Sequence, residues 1–193
     1  IDLDPDDVLE ERDELNNACY LSPAVAGATR IDLVIVPITL AGRTGSAPDL
    51  HETLYRHWPL ATLNITVRKA YKVTSVAKVE SNGDGWSAVL SELSGLRQSA
   101  KSTAHYYGAI DTGYGSGVAG MGYVGYPVSV GMDNNTGVAS HEIGHNFGLR
   151  HAPSGSAGNP DANYPYTGGL IGTQGFNGGN QTLYAPTSYK DIM

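Results

Sequence analysis

The chain is poor in cysteine, in positive charge and in long apolar runs. Its 193 residues include a single cysteine, and 12 lysines and arginines stand against 19 acidic residues, for a net charge of −7. This balance disfavours nucleic acid and anionic membranes as partners, because both carry negative charge themselves. No apolar run approaches the ~20 residues of a membrane span, so we expect no transmembrane helix.

The beginning of the chain is equally sparse in signals. It starts at Ile1, without a methionine and without a signal peptide, and this predicts a processed or trimmed product. The low lysine content and the abundant Gly, Tyr, Ser, Thr and Asn are typical of secreted proteins, so we expect an extracellular location. Residues 1–17 are rich in Asp and Glu. We interpret them as a solvated acidic arm, with a propeptide remnant or a linker as the alternative.

What the chain does contain is a dense histidine motif at residues 141–151, with the sequence HEIGHNFGLRH. His141 and His145 are four residues apart, so on a helix both imidazoles project from one face and can share one Zn²⁺ ion. Glu142 lies roughly 100° around the same helix. From there it can act as the general base of a metal-assisted hydrolysis without ligating the metal.

The end of this helix completes the predicted site. Gly148 tolerates positive φ, so the helix can stop there and the chain can turn to bring back His151 as the third ligand. Three protein ligands with an open fourth position are typical of catalytic zinc. On the opposite helix face, Ala139, Ile143 and Phe147 form an apolar stripe that we expect to pack into the core.

The order of the other elements predicts an α/β fold. Residues 31–38 form a near-continuous apolar run rich in β-branched residues, which indicates a central strand buried on both faces. A short helix at 49–57, a second strand at 63–73, a helix at 86–99 and a strand at 104–110 follow. Strands alternating with helices favour a layered fold with a mostly parallel sheet.

Short polar side chains precede two of the predicted helices. Asn135 or Thr136 can cap the zinc helix, and Ser81 or Asp84 can cap the helix at 86–99, because such side chains accept hydrogen bonds from free first-turn amides. After His151 the chain is rich in Gly and Pro with almost no periodicity, which predicts an irregular region held by turns.

The pattern H-E-x-x-H-x-x-G-x-x-H at 141–151 resembles the signature of the metzincin zinc endopeptidases. In that family a methionine-containing turn follows the motif, and the chain ends in D-I-M at Met193, which is similar to the start of such a Met-turn. The D-I-M ending resembles the secreted StcE-like bacterial group, whereas the helix motif equally fits gametolysin-like enzymes, so the subfamily stays undecided.

The resemblance implies a twisted, mostly parallel sheet with an antiparallel edge strand, packed on helices that include the zinc helix. It implies one catalytic domain over residues 1–193, with an acidic segment at 1–30, an upper subdomain at 31–148 and a lower subdomain at 149–193. In metzincins an edge strand before the zinc helix binds the substrate as an added β-strand. By position that role falls at residues 121–131, with the residues Gly122, Tyr123, Val124 and Gly125. The alternative is a glycine-rich hairpin with no ligand.

Cys19 has three readings. It can be a buried free thiol, or, as relatives with a D-I-M turn imply, a disulfide partner of a cysteine outside this chain. The third reading, a thiolate that caps the zinc in a latent form, is disfavoured because the flanking residues lack the switch motif of the matrix metalloproteases.

Other ligand-type residues carry weaker signals. Calcium is possible through a group of Asp and Asn residues, but no array of the EF-hand kind supports it. That group is Asp133, Asn134, Asn135 and Asp161. His51 and His57 lack partners at ligand spacing, so we expect them to face solvent or a loop without a catalytic role.

The sequence therefore predicts a secreted, single-zinc endopeptidase whose partner is a protein or peptide substrate, with Glu142 as the base. A catalytically silent module that only binds peptide or glycoprotein is the first alternative, although an intact glutamate beside the zinc argues against it. The second alternative is structural zinc with a fourth ligand such as Cys19.

Overall fold

The computed structural model describes residues 29–155, 157–177 and 180–193. Cys19 and the acidic N-terminal segment, apart from residues 29 and 30, lie outside the described residues, so the predictions made for them stay predictions. In chain order the elements are β1 (Arg30–Leu40), β2 (Arg43–Thr44), α1 (His51–His57), β3 (Thr62–Val67), β4 (Tyr71–Lys72), α2 (Trp86–Ser99), β5 (His105–Ile110), β6 (Gly120–Gly122), β7 (Val128–Met132), α3 (Thr136–Asn146), β8 (Gly175–Asn177) and β9 (Thr182–Tyr184).

The main sheet is open, mixed and mostly parallel, as predicted. Its strand order is β2-β1-β5-β7-β6, and β3 and β4 also pair with β1. β1 runs parallel to β3, β4 and β5, and β5 runs parallel to β7. The edge strand β6 is antiparallel to β7, which confirms the predicted antiparallel edge.

The continuous apolar sequence of β1 follows from its position between two layers of helices. Ile31, Leu33 and Ile35 belong to a core cluster with the buried residues of α1 and α3. The later apolar residues of β1 belong to a second cluster with α2, β5 and β7. Both faces of the strand are therefore buried, and the prediction of a central strand is confirmed.

The prediction of one continuous strand at 63–73 is wrong. The structure divides it into β3 and β4, because β1 advances three residues between the pairs Ile35–Val67 and Ile38–Tyr71 while its partner advances four. The extra residue cannot stay in register, so the ladder is interrupted as at a β-bulge. A sequence pattern of period two does not reveal such a local change of register.

The helix α2 has the predicted bounds, but its predicted cap is wrong. The N-cap residue is Gly85, whose φ of 85° lies in the left-handed region, and it makes no side-chain capping hydrogen bond. Asp84 instead accepts a hydrogen bond from Asn82 at 2.9 Å. Glycine is required at this position because a Cβ would collide with the backbone around Lys78.

The region after α3 is mostly irregular, as predicted. It contains a short 3₁₀ turn at Thr167–Gly169 and a two-stranded antiparallel hairpin of β8 and β9. Neither was predicted from the sequence. Among the described residues, none of the helices combines the length and the apolar character that a membrane crossing requires.

Candidate metal centre

The helix α3 begins and ends at residues suited to those positions. Asn135 is the N-cap, and its side chain accepts a hydrogen bond from the Val138 amide at 3.1 Å. At the other end Gly148 has φ +92°, and the amides of Gly148 and Leu149 donate to His145 O and Gly144 O. This is the hydrogen-bond pattern of a Schellman motif, so the helix stops and the chain reverses where the sequence predicts.

Of the three residues in the predicted apolar stripe of α3, two lie in the core and one does not. Ala139 and Ile143 are fully buried in the core cluster shared with β1. Phe147 is wrong as a core residue, because it is 37% exposed. As the C-cap it lies beyond the last helical residue, and its ring packs edge-on against Trp58 at a centroid distance of 5.3 Å.

The structure brings together the three predicted histidine ligands. His141, His145 and His151 each offer a ring nitrogen, and these atoms lie within 4.8 Å of one another. The rings of His141 and His145 project from successive turns of α3, and the reversal after Gly148 returns His151 to them. Within the described ranges, no other group of three or more His, Cys, Asp or Glu residues has such a geometry.

Backbone carbonyls fix the orientation of all three rings. His141 Nδ1 faces Ile192 O at 2.6 Å, His145 Nδ1 faces Leu149 O at 2.8 Å, and His151 Nδ1 faces Gly158 O at 2.6 Å. Because a carbonyl oxygen only accepts, each Nδ1 carries the proton and donates. Each Nε2 is then left with a free lone pair, as metal-ligating imidazoles require.

The Nε2 atoms provide a test of whether a metal fits. His145 Nε2 and His151 Nε2 lie 3.2 Å apart, although neither has a proton to donate to the other. Two lone pairs at this distance repel unless a cation lies between them. A tetrahedral zinc with Zn–N bonds of about 2.0–2.1 Å places its ligand nitrogens about 3.3 Å apart, so the spacing of these two nitrogens fits such an ion.

Burial keeps two of the imidazoles in the neutral form that binds metal. It lowers the pKa of His141 and of His145, and the hydrogen bonds to Ile192 O and Leu149 O oppose this effect only in part. Neutral imidazole is the ligand form, so no proton has to be removed at neutral pH before a metal binds.

Glu142 lies beside the histidines without a polar partner. It is 6% exposed, and burial raises its pKa to about 8. Among the described residues its carboxylate has no ion pair and no hydrogen bond. A divalent cation held by the three neighbouring Nε2 atoms would favour the ionised form of this carboxylate and lower its pKa again.

Two glycines of the edge strand allow it to pass directly over Glu142. A Cβ at Gly120 would lie 2.7 Å from Glu142 Oε1, and a Cβ at Gly122 would lie 2.6 Å from Glu142 O. Neither distance is tolerated between real atoms, so only glycine lets the strand approach so closely. At these two positions, the glycines before the histidine motif are therefore required because a larger side chain would collide with Glu142.

The four predicted substrate-binding residues divide between a strand and a turn. Gly122 ends β6, whereas Tyr123, Val124 and Gly125 lie in the turn that leads to β7. The predicted range 121–131 thus covers a hairpin of two strands, only the first of which is at the edge of the sheet.

Asn146 is a site residue that the sequence analysis missed. Its side-chain amide donates to Tyr123 O and Val128 O, both at 3.0 Å, and the Gly125 amide donates to His145 O at 2.9 Å. These bonds fasten the β6–β7 turn to the end of α3. The one sequence signal for Asn146 was its position between a metal ligand, His145, and the glycine that ends the helix, Gly148.

Met193 lies beneath α3, where the resemblance to metzincins expects a methionine. It is 9% exposed, and its sulfur packs against Gly144, at a point where a Cβ would collide with it. Met193 O accepts from the Ala152 amide at 2.9 Å. Asp191 fixes the turn, since its carboxylate accepts from the Met193 amide at 2.9 Å and from the Tyr164 hydroxyl at 3.0 Å.

The remaining ligand-type residues have other contacts. Asp133 accepts from the amide and hydroxyl of Ser46 at 2.7 and 2.9 Å, and Asn135 is engaged as a cap. His51 is exposed and lies 3.0 Å from Asp49. The prediction that His57 faces solvent or a loop is wrong. This residue is half-buried, and its Nδ1 lies 2.9 Å from Ser140 Oγ, behind α3.

Two cavities flank Glu142 along the edge strand. One, of about 480 Å³, lies by the first turns of α3, and the other, of about 300 Å³, lies by its end. The first is lined by Val118, Ala119, Gly120, Gly137, Val138, His141, Glu142 and Ile192. A larger cavity of about 580 Å³ includes Trp58 and Tyr184 but none of the three histidines or Glu142.

Comparison with known proteins agrees with this geometry. Residues 48–191, more than half of the chain, match the model of the family described as Peptidase M66. The chain is also 26% identical over 194 residues to Dictomallein-1 of Dictyostelium discoideum. That alignment covers 80% of this chain and 32% of the relative, so the chain spans about a third of the length of that curated protein.

Proposed function

The chain belongs to the peptidase M66 family, a metalloprotease family, and we propose that it is a secreted zinc endopeptidase of the metzincin type. The observation that carries this proposal is the convergence of three Nε2 atoms, each on a ring whose Nδ1 donates to a carbonyl, beside a buried glutamate. A structural or storage site has no use for an unpaired carboxylate at that position.

In this proposal His141, His145 and His151 hold one zinc ion through Nε2. When bound, the metal supplies Lewis-acid chemistry, because it lowers the pKa of water and polarises a carbonyl. The carbonyls of Ile192, Leu149 and Gly158 keep the rings in the ligating tautomer. Met193 forms the Met-turn under α3, and residues 31–148 and 149–193 form the two parts of one catalytic domain.

Glu142 moves the proton in the proposed mechanism. Its carboxylate accepts a proton from the attacking water and later delivers it to the nitrogen of the leaving amine. Burial under Gly120 and Gly122 excludes bulk water from the carboxylate, so the proton stays in the site. Burial raises the pKa of Glu142 and a cation on the three histidines would lower it, so the carboxylate can both accept the proton and release it.

The substrate binds as an added strand on β6. This strand pairs with β7 on one side only, so its other edge offers N–H and C=O groups to an extended peptide. Asn146 holds the turn after β6 against α3 and thereby keeps that edge beside Glu142. A protein or peptide substrate is what such a groove accepts.

The test compares the wild type with Glu142→Gln, both zinc-loaded, on an unfolded protein substrate. We expect the variant to keep its metal and to lose rate by roughly three orders of magnitude or more, as removal of a general base should. Glu52→Gln is the matched control, since Glu52 is an exposed glutamate on α1 and should leave the rate unchanged.

Two other results would reject the proposal. Equal rates for the wild type and Glu142→Gln would remove the assigned role of the glutamate. Full zinc binding without hydrolysis by the wild type would favour the alternative, a silent metzincin-like module that binds peptide or glycoprotein in the same groove.

A further inference from the structure

A positively charged residue lines the cavity at the end of α3. Arg150 borders this cavity, of about 300 Å³, together with two of the histidines and with Val124 of the turn after β6. Its lining consists of Gly120, Met121, Gly122, Val124, Glu142, His145, Arg150, His151, Gly158 and Asn159. Apart from the histidines, Glu142 and Arg150 are the only ionisable groups in this lining.

The backbone on both sides of Arg150 is fixed by the metal centre. Leu149 O accepts from His145 Nδ1 at 2.8 Å, and His151 Nδ1 donates to Gly158 O at 2.6 Å. The Schellman turn at Gly148 sets the direction in which this segment leaves the helix. Arg150 is therefore held at the cavity by the same bonds that orient two ligands, rather than lying on a free loop.

Arg150 has no counter-ion within the part of the chain that the structure describes. Three other arginines there are paired with carboxylates, namely Arg30 with Asp32, Arg43 with Asp111 and Arg56 with Glu52. Arg150 makes neither an ion pair nor a hydrogen bond with a described residue. Among the described residues, Arg68 and Arg97 also lack a carboxylate partner, but neither lines the cavity beside Glu142 as Arg150 does.

The direction of a bound peptide decides which of its residues meets Arg150. β6 runs from the cavity beside Val138 towards the cavity with Arg150. Antiparallel pairing is slightly more stable per residue than parallel pairing, so we expect an added peptide to run opposite to β6, from Arg150 past Glu142 to Val138. The residues near Arg150 therefore precede the bond that Glu142 addresses.

We propose that Arg150 is a specificity-determining residue that binds an acidic side chain on the N-terminal side of the cleaved bond. This inference rests on the proposed peptidase function and adds a substrate class to it, namely peptides with Glu or Asp shortly before that bond. A guanidinium recognises a carboxylate through two parallel N–H···O bonds. Because Arg150 is exposed, solvent weakens the pair, and we expect a preference of about fivefold.

The test uses peptide hydroxamates, whose hydroxamate group chelates the metal and directs the peptide to the side that precedes the cleaved bond. The probes are acetyl-tripeptide hydroxamates of alanine with one Glu at the first, second or third position, and the same three peptides with Gln. Their affinities are measured by calorimetry on the zinc-loaded wild type, Arg150→Gln, Arg150→Lys and Lys101→Gln. Metal content is measured for each protein, so the readout needs no cleavage.

We expect the wild type to bind one Glu probe about fivefold more tightly than its Gln counterpart. Arg150→Gln should remove this preference, Arg150→Lys should retain part of it, and Lys101→Gln, a change at an exposed lysine after α2, should leave it intact. Equal affinities in the wild type, or a preference that survives in Arg150→Gln, would overturn the inference. Failure of every probe to bind to wild type that carries its zinc would also overturn the inference.

Hydrolysis measured on the same proteins separates the two proposals. A charge preference for the probes without cleavage of any protein would reject the peptidase function and leave only the binding of an acidic side chain by Arg150. Cleavage of unfolded protein without a charge preference for the probes would support the peptidase function and reject the role of Arg150.

Discussion

Gly122 places the edge strand in contact with the proposed base. A Cβ at this residue would lie 2.6 Å from Glu142 O and 3.2 Å from Glu142 Oε2. We expect Gly122→Ala to displace either β6 or the carboxylate, because the backbone oxygen of a buried helix cannot move aside. The variant should keep its zinc and lose about tenfold or more in kcat/KM, since a small misplacement of a catalytic group is costly.

Gly95→Ala is the control for this substitution. Gly95 lies in α2, and a Cβ there meets nothing within 4 Å, so alanine should raise stability by about 0.5–1 kcal/mol without changing kcat/KM. Unchanged kcat/KM in Gly122→Ala, with both variants folded and metal-loaded, would show that the close approach of β6 to Glu142 is not needed for hydrolysis.

The site residues that could be predicted from the sequence are those whose geometry is local. The spacing of His141 and His145 is set by one helix, and the return of His151 depends only on the positive φ of Gly148. Asn146 was missed because its partners, Tyr123 O and Val128 O, come from a distant hairpin. No local spacing rule connects a helix residue with carbonyls about twenty residues earlier in the chain.

At the scale of elements, α2 is attached to β4 and the loop after it through one carboxylate. Glu92 accepts hydrogen bonds from the amides of Thr74 and Ser75 at 2.9–3.2 Å and from the Tyr71 hydroxyl at 3.0 Å. Burial of the carboxylate raises its pKa, but these hydrogen bonds outweigh that effect and lower the pKa of Glu92 to about 2. The ionised carboxylate of Glu92 is thus more stable in the folded state than in the unfolded chain.

The consequence for stability follows from linkage. Because the pKa of Glu92 falls from 4.5 to about 2 on folding, its contribution is present above pH 4.5 and is lost as the pH falls towards 2. We expect Glu92→Gln to lower the free energy of unfolding at pH 7 by about 1–2 kcal/mol. The difference from the wild type should shrink between pH 4.5 and 2.5 in thermal unfolding. A difference that stays constant over this range would contradict the assignment.

Elements were predictable where burial produces a repeating pattern. Because β1 is buried on both faces, its sequence is a near-continuous apolar run. The helix α2 was recognisable from the repeat of its core-facing apolar residues. The division of β3 from β4 and the cap at Gly85 were not predictable, because each depends on how a segment meets a neighbouring one. The hairpin of β8 and β9 has no buried apolar face, because Phe176 and Leu183 are exposed and Asn177, which is buried, is polar. No apolar pattern therefore marks it in the sequence.

At the scale of the whole molecule, the candidate metal centre joins two parts of the chain. His141 and His145 belong to α3, which packs under the main sheet, whereas His151 begins the irregular part that ends at Met193. Contacts between these parts include His141 Nδ1 to Ile192 O and the packing of Met193 against Gly144. A metal held by all three histidines would tie His151 to the two ligands on α3, so binding should stabilise the folded chain as a unit.

Removal of the metal should therefore lower the melting temperature of the whole chain rather than loosen the site alone. Mass action gives a stabilisation of about 4 kcal/mol when free zinc is 1,000 times its Kd, so we expect the Tm to rise with zinc concentration and to fall on chelation. His151→Ala should abolish most of this response, because two histidines of α3 alone do not connect the parts. His51→Ala, which removes an exposed histidine paired with Asp49, should retain it. A zinc-dependent Tm in His151→Ala equal to that of the wild type would mean that the metal binds to α3 without bridging the two parts.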